Sequence, residues 1–293
     1  MQACLTAYPP DQAAITCTPD QGRTLRIGRT VDDGLRLDHP SISRAHAELR
    51  FLDGGWRLRD LESKNGSFVD GIRVREATLV RPSWLRLGDV YCEFTPLSEA
   101  EAIAARAGEQ TRRASVTART ARLQGAELLE DLLDASLRGV VELAQCQRGF
   151  VLLTQGGQFS IRASLALDPG QLSARTFSGS VGAIRRALEQ QRSVVANDIG
   201  LDPWLAGRAS VVAAGLNALV CLPLLDGDRA LGAIYADRLH PGPAITTLDL
   251  ELLEAFAETA SLWIAARRTS DLLGGDSQAL QWEAIVAAQG EAA

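Results

Sequence analysis

The hexapeptide SISRAH occupies residues 41–46, between the dipeptide GR at residues 28–29 and the pentapeptide SKNGS at residues 63–67. All three segments border short apolar or alternating runs, so they read as loops at the ends of strands. Together they supply arginine, serine, lysine and asparagine side chains. This combination suits a phosphomonoester dianion, because cations give charge-assisted hydrogen bonds and hydroxyl and amide groups add neutral donors. The three segments therefore predict a phosphate-binding site on loops of a β-structure.

Short strands separated by turns make up the first third of the chain. Asp53-Gly54-Gly55, Asn65-Gly66 and Asp70-Gly71 are among the turn signals. Many short strands at this spacing predict an all-β sandwich over residues 1–97. The predicted strands are Ala3–Tyr8, Leu25–Gly28, Ala47–Leu52, Trp56–Leu61, Phe68–Val69, Arg73–Val74 and Tyr91–Phe94.

The sequence changes character at Ser98. Residues 98–122 are rich in Ala, Glu, Arg and Gln and predict a partly helical linker. Residues 123–268 then alternate helical and strand-like patterns, which predicts an α+β domain around a mostly antiparallel sheet. Its predicted helices are Leu123–Cys146, Val181–Gln191 and Leu248–Arg267, and its predicted strands are Gly149–Thr154, Phe159–Ala166, Ser193–Ala196, Ala218–Leu225 and Ala230–Ala236. A tail, residues 269–293, is expected to hold one short helix over residues 278–288.

Composition excludes several classes of function. The chain has 293 residues, which favours two domains, and a net charge of −6, which argues against sequence-independent nucleic-acid binding. It contains neither a signal peptide nor an apolar stretch of membrane-spanning length, so we expect a cytoplasmic protein without membrane contact. Five widely spaced cysteines form no CxxC pair or Cys/His cluster, so no metal site is predicted.

The order GR, SxSRxH and SxNG resembles the pattern of the forkhead-associated (FHA) family. The resemblance covers the first domain and implies an eleven-stranded β-sandwich whose loop tips bind phosphothreonine peptides. It implies that Arg29 pairs with the phosphate, that Ser43 donates its hydroxyl hydrogen to it, and that Arg44 adds a second cationic contact. Lys64 is expected to approach the phosphate or its neighbours. Asn65 is expected to hydrogen-bond the peptide backbone beside the phosphothreonine.

The chain departs from the family pattern at Asp70, where the family usually has asparagine. This position borders the groove for the residues that follow the phosphothreonine, so an acidic side chain is expected to favour basic or neutral peptides. Gly28, Gly66 and His46 are expected to be architectural, with His46 bracing the loops. Two alternatives stay open: the loops are ordinary solvated surface, or the domain keeps the fold and binds an unphosphorylated partner. The intact Arg29, Ser43 and Asn65 favour phosphothreonine.

Residues 123–268 resemble a GAF domain, most specifically in VCLPLL at residues 220–225 and GAIYAD at residues 232–237. GAF domains are sensory or dimerising modules. The cyclic-nucleotide signature of one GAF class corresponds here to Asp237-Arg238, Ile245 and Asp249-Leu250, and only the aspartate of the last pair matches it. The cysteines do not fit a bilin-attachment site or a methionine sulfoxide reductase. We therefore expect no cofactor.

Two apolar stripes on the last predicted helix favour a homodimer. A helix that is apolar over more than one face needs a partner surface, and two helices from each copy could form a four-helix bundle. The alternative is that the linker and tail cover that face within one chain. The stripes are Leu250, Leu253, Ala257, Ala260 and Ile264, and Leu252, Phe256 and Trp263.

The two resemblances predict a bacterial signalling adaptor, not an enzyme. No phosphate loop of an NTPase, cyclase signature or helix-turn-helix pattern is present. The expected partner is a phosphothreonine protein made by a Ser/Thr kinase, and the GAF domain is expected to dimerise or to sense. The alternative is a sensor of small molecules, cyclic nucleotides included, whose GAF pocket gates partner binding in transcription or secretion-system regulation.

Overall fold

The computed structural model describes residues 2–10, 12–126, 128–155, 158–167, 180–197, 217–271 and 280–281. Its contacts divide the chain into two compact units, residues 1–110 and residues 111–293. The boundaries at residues 97, 122 and 268 stay predictions.

The first unit is a β-sandwich, as the sequence predicts. Its eleven described strands form a six-stranded sheet in the order β2-β1-β11-β10-β7-β8 and a five-stranded sheet in the order β4-β3-β5-β6-β9. Neighbouring strands are antiparallel except for β3 and β4. The strands are β1 (Gln2–Tyr8), β2 (Ile15–Cys17), β3 (Leu25–Gly28), β4 (Gly34–Arg36), β5 (Ala47–Leu52), β6 (Gly55–Asp60), β7 (Ser67–Val69), β8 (Ile72–Val74), β9 (Glu76–Leu79), β10 (Ser83–Leu87) and β11 (Val90–Leu97).

Alternating residues of both sheets fill the sandwich core. In β10, Leu85 and Leu87 are buried and Trp84 and Arg86 point to the outer face, as strand geometry requires. Trp56 is the largest fully buried side chain of the whole described chain. This core supports three loops that meet at one edge of the sandwich: residues 29–33, 37–46 and 61–66.

The predicted linker is a single helix, α1 (Glu99–Gln124). A capping box starts it: Ser98 Oγ accepts a hydrogen bond from Glu101 N (3.2 Å), and Ser98 N donates to Glu101 Oε2 (2.8 Å). The sequence therefore predicted helical content correctly but underestimated its length. Residues 103–110 of this helix are exposed on every side.

The second unit is an α+β domain with an antiparallel sheet, as predicted. Its sheet order is β14-β15-β16-β12-β13-β17, and each neighbouring pair is antiparallel. The elements are α2 (Leu129–Leu143), β12 (Arg148–Gln155), β13 (Gln158–Leu165), α3 (Val181–Gln190), β14 (Val194–Asn197), β15 (Ala218–Asp226), β16 (Arg229–Arg238), α4 (Thr247–Asp271) and β17 (Leu280–Gln281).

Two boundary predictions for this unit are wrong. The predicted helix Leu123–Cys146 is interrupted, because α1 ends at Gln124 and α2 begins at Leu129. The predicted tail helix fails at Leu280–Gln281, which pair with Ile161 and Ser160 as strand β17. The rest of that predicted helix lies outside the described residues.

Helix α4 buries most of the first predicted apolar stripe and Phe256 of the second within its own chain, whereas Leu250, Leu252 and Trp263 stay partly exposed. Leu253, Phe256, Ala260 and Ile264 are completely shielded from solvent, and a Cβ built on Gly139 of α2 would lie only 2.3 Å from the Phe256 ring. The fully buried residues of the stripes therefore pack in the core of the unit, which weakens the stated reason for a dimer, and the dimer stays a prediction. Among the described helices, none combines the length and apolar character of a membrane span.

Candidate phosphopeptide site

Backbone and side-chain hydrogen bonds bring the predicted phosphate-binding loops together around Ser43. Arg29 N donates to Ser43 O (2.9 Å), and Thr30 N donates to the carbonyl oxygen of Arg44 (3.3 Å). Lys64 N donates to Ser43 Oγ (3.0 Å). Arg29, Ser43, Arg44 and Lys64 are therefore neighbours in space, although 35 positions separate the first from the last.

Gly28 explains why glycine precedes the first arginine of the site. A Cβ at this position would lie 2.2 Å from the carbonyl oxygen of Arg44, closer than any side chain can approach. The close approach lets His46 N donate to Ile27 O (2.9 Å), which fixes the SISRAH loop against β3. Gly28 is architectural in this structure, as the resemblance implies.

His46 joins two of the loops as a neutral imidazole. Ser43 N donates to its Nδ1 (3.1 Å), so that nitrogen is an acceptor and the ring hydrogen lies on Nε2, which donates to Gly66 O (3.2 Å). The ring is fully buried, and this burial lowers its pKa below the ordinary value. His46 thus braces the loop that carries Ser43 against the loop that carries Asn65.

Asp60 holds the SKNGS loop and was not predicted from the sequence. Its carboxylate accepts hydrogen bonds from Ser63 N (2.9 Å), Ser63 Oγ (2.6 Å) and Ser67 Oγ (2.6 Å). Burial raises the pKa of this carboxyl group, but the serine donors outweigh burial and the net shift is downward. The signal was an aspartate three residues before a serine, which is the spacing of a side-chain-to-backbone turn.

The loops leave an uncompensated positive charge beside a free hydroxyl hydrogen. Within the described part of the chain, the side chains of Arg29, Arg44 and Lys64 form no ion pair, and all three residues are exposed. Ser43 Oγ already accepts the Lys64 N–H, so its own hydrogen remains available to donate. Asn65 Nδ2 donates to Ser41 O (2.8 Å), which orients its amide and leaves the amide oxygen as an acceptor.

Asp70 lies in the two-residue turn between β7 and β8. Asp70 and Gly71 have φ of 47° and 83°, the left-handed pair that a tight hairpin turn needs. Its carboxylate accepts from Trp84 N (2.9 Å) and from Arg81 Nη2 (3.0 Å). Among the described residues, its side chain has no hydrogen bond to the three loops around Ser43. The expected effect of Asp70 on peptide preference stays a prediction.

The second unit contains a buried polar network where a GAF ligand would be sought. Arg148 Nε and Nη2 donate to Asp237 Oδ1 (2.5 Å) and Oδ2 (3.1 Å), and Tyr235 Oη donates to Asp237 Oδ2 (2.7 Å). Ser180 N, at the start of α3, donates to Tyr235 Oη (3.0 Å). These bonds join β12, β16 and the start of α3, which is a structural role for the network.

The other functional residues considered for this unit also have structural contacts. Asp249, the aspartate that matches the cyclic-nucleotide signature, accepts from Thr246 N (3.0 Å) and Thr246 Oγ1 (2.7 Å) at the start of α4. Burial raises the pKa of the Cys146 thiol to about 12. Among the described residues, no three His, Cys, Asp or Glu side chains are grouped closely enough to hold a metal ion.

Comparison with known families agrees with both halves of this architecture. The family model of the FHA domain matches residues 25–91, and the family model of the GAF domain matches residues 128–264. The chain carries an FHA domain followed by a GAF domain. FHA and GAF domains are regulatory, not catalytic. The FHA match contains Arg29, Ser43, Arg44, Lys64 and Asn65.

Relatives share only parts of the chain. Nitrogen fixation protein VnfA of Azotobacter vinelandii is 25% identical over 139 residues, which is 45% of this chain and 27% of VnfA. Transcriptional regulatory protein EmbR of Mycobacterium tuberculosis is 37% identical over 90 residues, which is 30% of this chain and 23% of EmbR. The chain thus spans about a quarter of the length of these relatives. A solved structure of M. tuberculosis EmbR with a low-affinity phosphopeptide is 29% identical, with a TM-score of 0.26, and covers 31% of this chain and 24% of that one.

Proposed function

We propose that this protein is a signalling adaptor. Its FHA domain binds partner proteins that a Ser/Thr kinase has phosphorylated on threonine. The observation that carries the proposal is the arrangement around Ser43. Its hydroxyl group has a hydrogen to donate, and the backbone N–H of Lys64 is fixed 3.0 Å from its Oγ. The exposed Arg29 and Arg44 have no carboxylate partner among the described residues. A phosphate dianion supplies the charge that these groups lack.

The roles proposed for the site residues are those that the FHA pattern implies. Arg29 and Arg44 pair with the phosphate oxygens, Ser43 donates its hydroxyl hydrogen, and Lys64 contacts the phosphate or its neighbours. Asn65, whose amide is oriented by Ser41, hydrogen-bonds the peptide backbone. The protein acts in the cytoplasm and has no catalytic centre of its own. The GAF domain serves as a dimerising or sensory module.

Binding of matched peptides tests this function. The full chain is titrated with one peptide in three forms, carrying phosphothreonine, threonine or phosphoserine. We expect binding of the phosphothreonine form, loss of binding on dephosphorylation, and weaker binding of phosphoserine, because a methyl group in an apolar niche contributes about 1–3 kcal/mol. Equal affinity for the phosphorylated and unphosphorylated forms would refute the proposal.

Arg29→Ala should weaken binding of the phosphothreonine peptide at least tenfold, because a hydrogen bond to a charged group contributes about 1.5–3 kcal/mol. The matched control is Arg23→Ala. Arg23 is also exposed and lies in the turn before β3, at the opposite end of that strand from Arg29. The control should keep the affinity of the unmodified chain. A folded Arg29→Ala protein with unchanged affinity would remove Arg29 from the site.

A further inference from the structure

Arg73 is an exposed arginine close to Asn65, the residue predicted to contact the peptide. It lies outside the three segments that carry the phosphate-binding pattern. Arg73 is in β8, and its guanidinium group covers Gly66. A Cβ built on Gly66 would lie 2.7 Å from Arg73 Nε and 3.1 Å from Arg73 Nη2. Gly66 directly follows Asn65, the residue proposed to bind the peptide backbone. Since Gly66 has no side chain, Arg73 forms the surface at this point.

Arg73 belongs to a row of three side chains on the outer face of the six-stranded sheet. Phe68 of β7 is opposite Arg73 in β8 on one side and opposite Arg86 in β10 on the other, and residues paired in this way share a face. The Arg86 guanidinium lies 3.6 Å from the centre of the Phe68 ring. Arg86 Nη1 also donates to Gly88 O (2.7 Å), in the turn whose Gly88 N donates to Gly66 O (3.1 Å). The row is therefore attached to the same loops as the phosphate site.

The charge of Arg73 is available to a partner. Within the described residues Arg73 forms no ion pair, whereas Asp70, the acidic residue of the same hairpin, is already bonded to Arg81 and Trp84 N. The surface next to Asn65 is thus cationic, with an aromatic ring beside it. Such a surface favours a carboxylate side chain on the ligand.

Arg73 therefore lies beside the loop that carries two of the predicted site residues. Lys64, Asn65 and Gly66 are consecutive in that loop, and the Arg73 guanidinium group lies against the last of them.

We propose that Arg73 is a specificity-determining residue that selects phosphopeptides with an acidic residue close to the phosphothreonine. The Arg73–Phe68–Arg86 row is the corresponding extension of the binding surface. This inference rests on the proposed phosphothreonine binding. It is opposite in sign to the preference expected from Asp70, so one experiment decides between the two residues.

The experiment measures the affinity of the full chain for phosphothreonine peptides that carry Asp or Lys at each of four positions on either side of the phosphothreonine. The unmodified chain should prefer Asp over Lys by about two- to fivefold at one or two positions, the effect of an exposed ion pair, and less at high salt. Arg73→Glu should reverse that preference to Lys at the same positions. A reversal cannot arise from misfolding, which would weaken both peptides.

The matched control is Arg23→Glu, which makes the same charge change at the opposite end of β3. If only Arg73→Glu reverses the ratio, the proposal holds. If the Asp-to-Lys ratio of Arg73→Glu equals that of the unmodified chain while binding still requires the phosphate, Arg73 has no role in selection and the proposal is overturned. If the unphosphorylated peptides bind as well as the phosphorylated ones, the proposed function itself has failed.

Discussion

At the scale of single residues, the candidate site contains two kinds of side chain. Some are exposed and have hydrogen-bond donors for a ligand, and others are buried and fix the loops that carry the first kind. Arg29, Arg44 and Lys64 are exposed, whereas His46 and Ser63 are buried. The exposed set was predictable, because its residue types and order carry the FHA pattern. The holding role of Asp60 was not, because it depends on Ser63 and Ser67 folding back onto one carboxylate. Arg73 was missed for a similar reason: its nearness to Gly66 arises from strand pairing.

His46 makes the stability of the FHA domain depend on pH. Burial lowers the pKa of His46 in the folded state, so below about pH 6.5 the unfolded chain binds a proton that the folded chain excludes. The free energy of unfolding should therefore fall as the pH drops below about 6.5, by at most about 1.4 kcal/mol per pH unit, and level off below the folded-state pKa. Protonation of the folded protein would place a hydrogen on Nδ1, against the Ser43 N–H, so peptide binding should weaken only as the pH approaches and falls below the lowered folded-state pKa.

Denaturant unfolding of the full chain between pH 5 and pH 8 measures this dependence. The control is His46→Asn, which keeps His39 and His240. The variant should be less stable at pH 7 and should have a shallower pH dependence, because only the contribution of His46 is removed. Parallel pH curves for the two proteins would show that His46 does not titrate within the folding transition.

At the scale of elements, every strand predicted for the first unit is present, but β2, β4, β9 and β10 were not predicted. Leu25–Gly28 and Ala47–Leu52 have the predicted bounds. Among the missed strands, Gly34–Arg36 buries only Leu35 and Glu76–Leu79 buries only Leu79, so neither offers an apolar repeat. Ser83–Leu87 does alternate, and it was overlooked. Helix α1 was underestimated because residues 103–110 bury nothing, and hydrophobic periodicity cannot detect a helix that is exposed all round.

Substitutions at a buried and at an exposed residue of α4 should have very different effects on the stability of the GAF domain. Phe256 is fully buried against Gly139 of α2, whereas Leu262 is 70% exposed. Phe256→Ala should lower the free energy of unfolding of the GAF domain by about 3–5 kcal/mol. Leu262→Ala should change it by no more than about 0.5 kcal/mol. Hydrogen exchange of the α2 and α4 amides measures the stability of the GAF domain separately from that of the FHA domain. Equal protection of these amides in the two variants would contradict the packing of Phe256 against α2.

At the scale of the whole molecule, the order of domains could be predicted from the sequence, because each domain carries its own local pattern. The oligomeric state could not be predicted in the same way, because the dimer prediction depended on which face of α4 is covered. The sequence shows two apolar stripes but not that α2 and the sheet bury Leu253, Phe256 and Ile264. Charged substitutions at Leu253 and Phe256 would therefore unfold the GAF domain, and a dimer has to be tested elsewhere.

If the GAF domain dimerises through its helices, the contact has to use residues that the described structure leaves exposed. Leu262 of α4 is 70% exposed, and Leu128, immediately before α2, is 64% exposed. The rest of the exposed face of α4 includes Glu251, Glu254 and Glu258, so a glutamate at position 262 would extend a negative surface that a second copy would repel.

Leu262→Glu combined with Leu128→Glu should shift the mass in light scattering from dimer to monomer, with unchanged circular dichroism. Ile72→Glu, at a 71% exposed position of the FHA domain, controls for added charge and should leave the mass unchanged. A monomeric mass for the unmodified chain at high concentration would rule out the dimer, and the GAF domain would then have to act within a single copy.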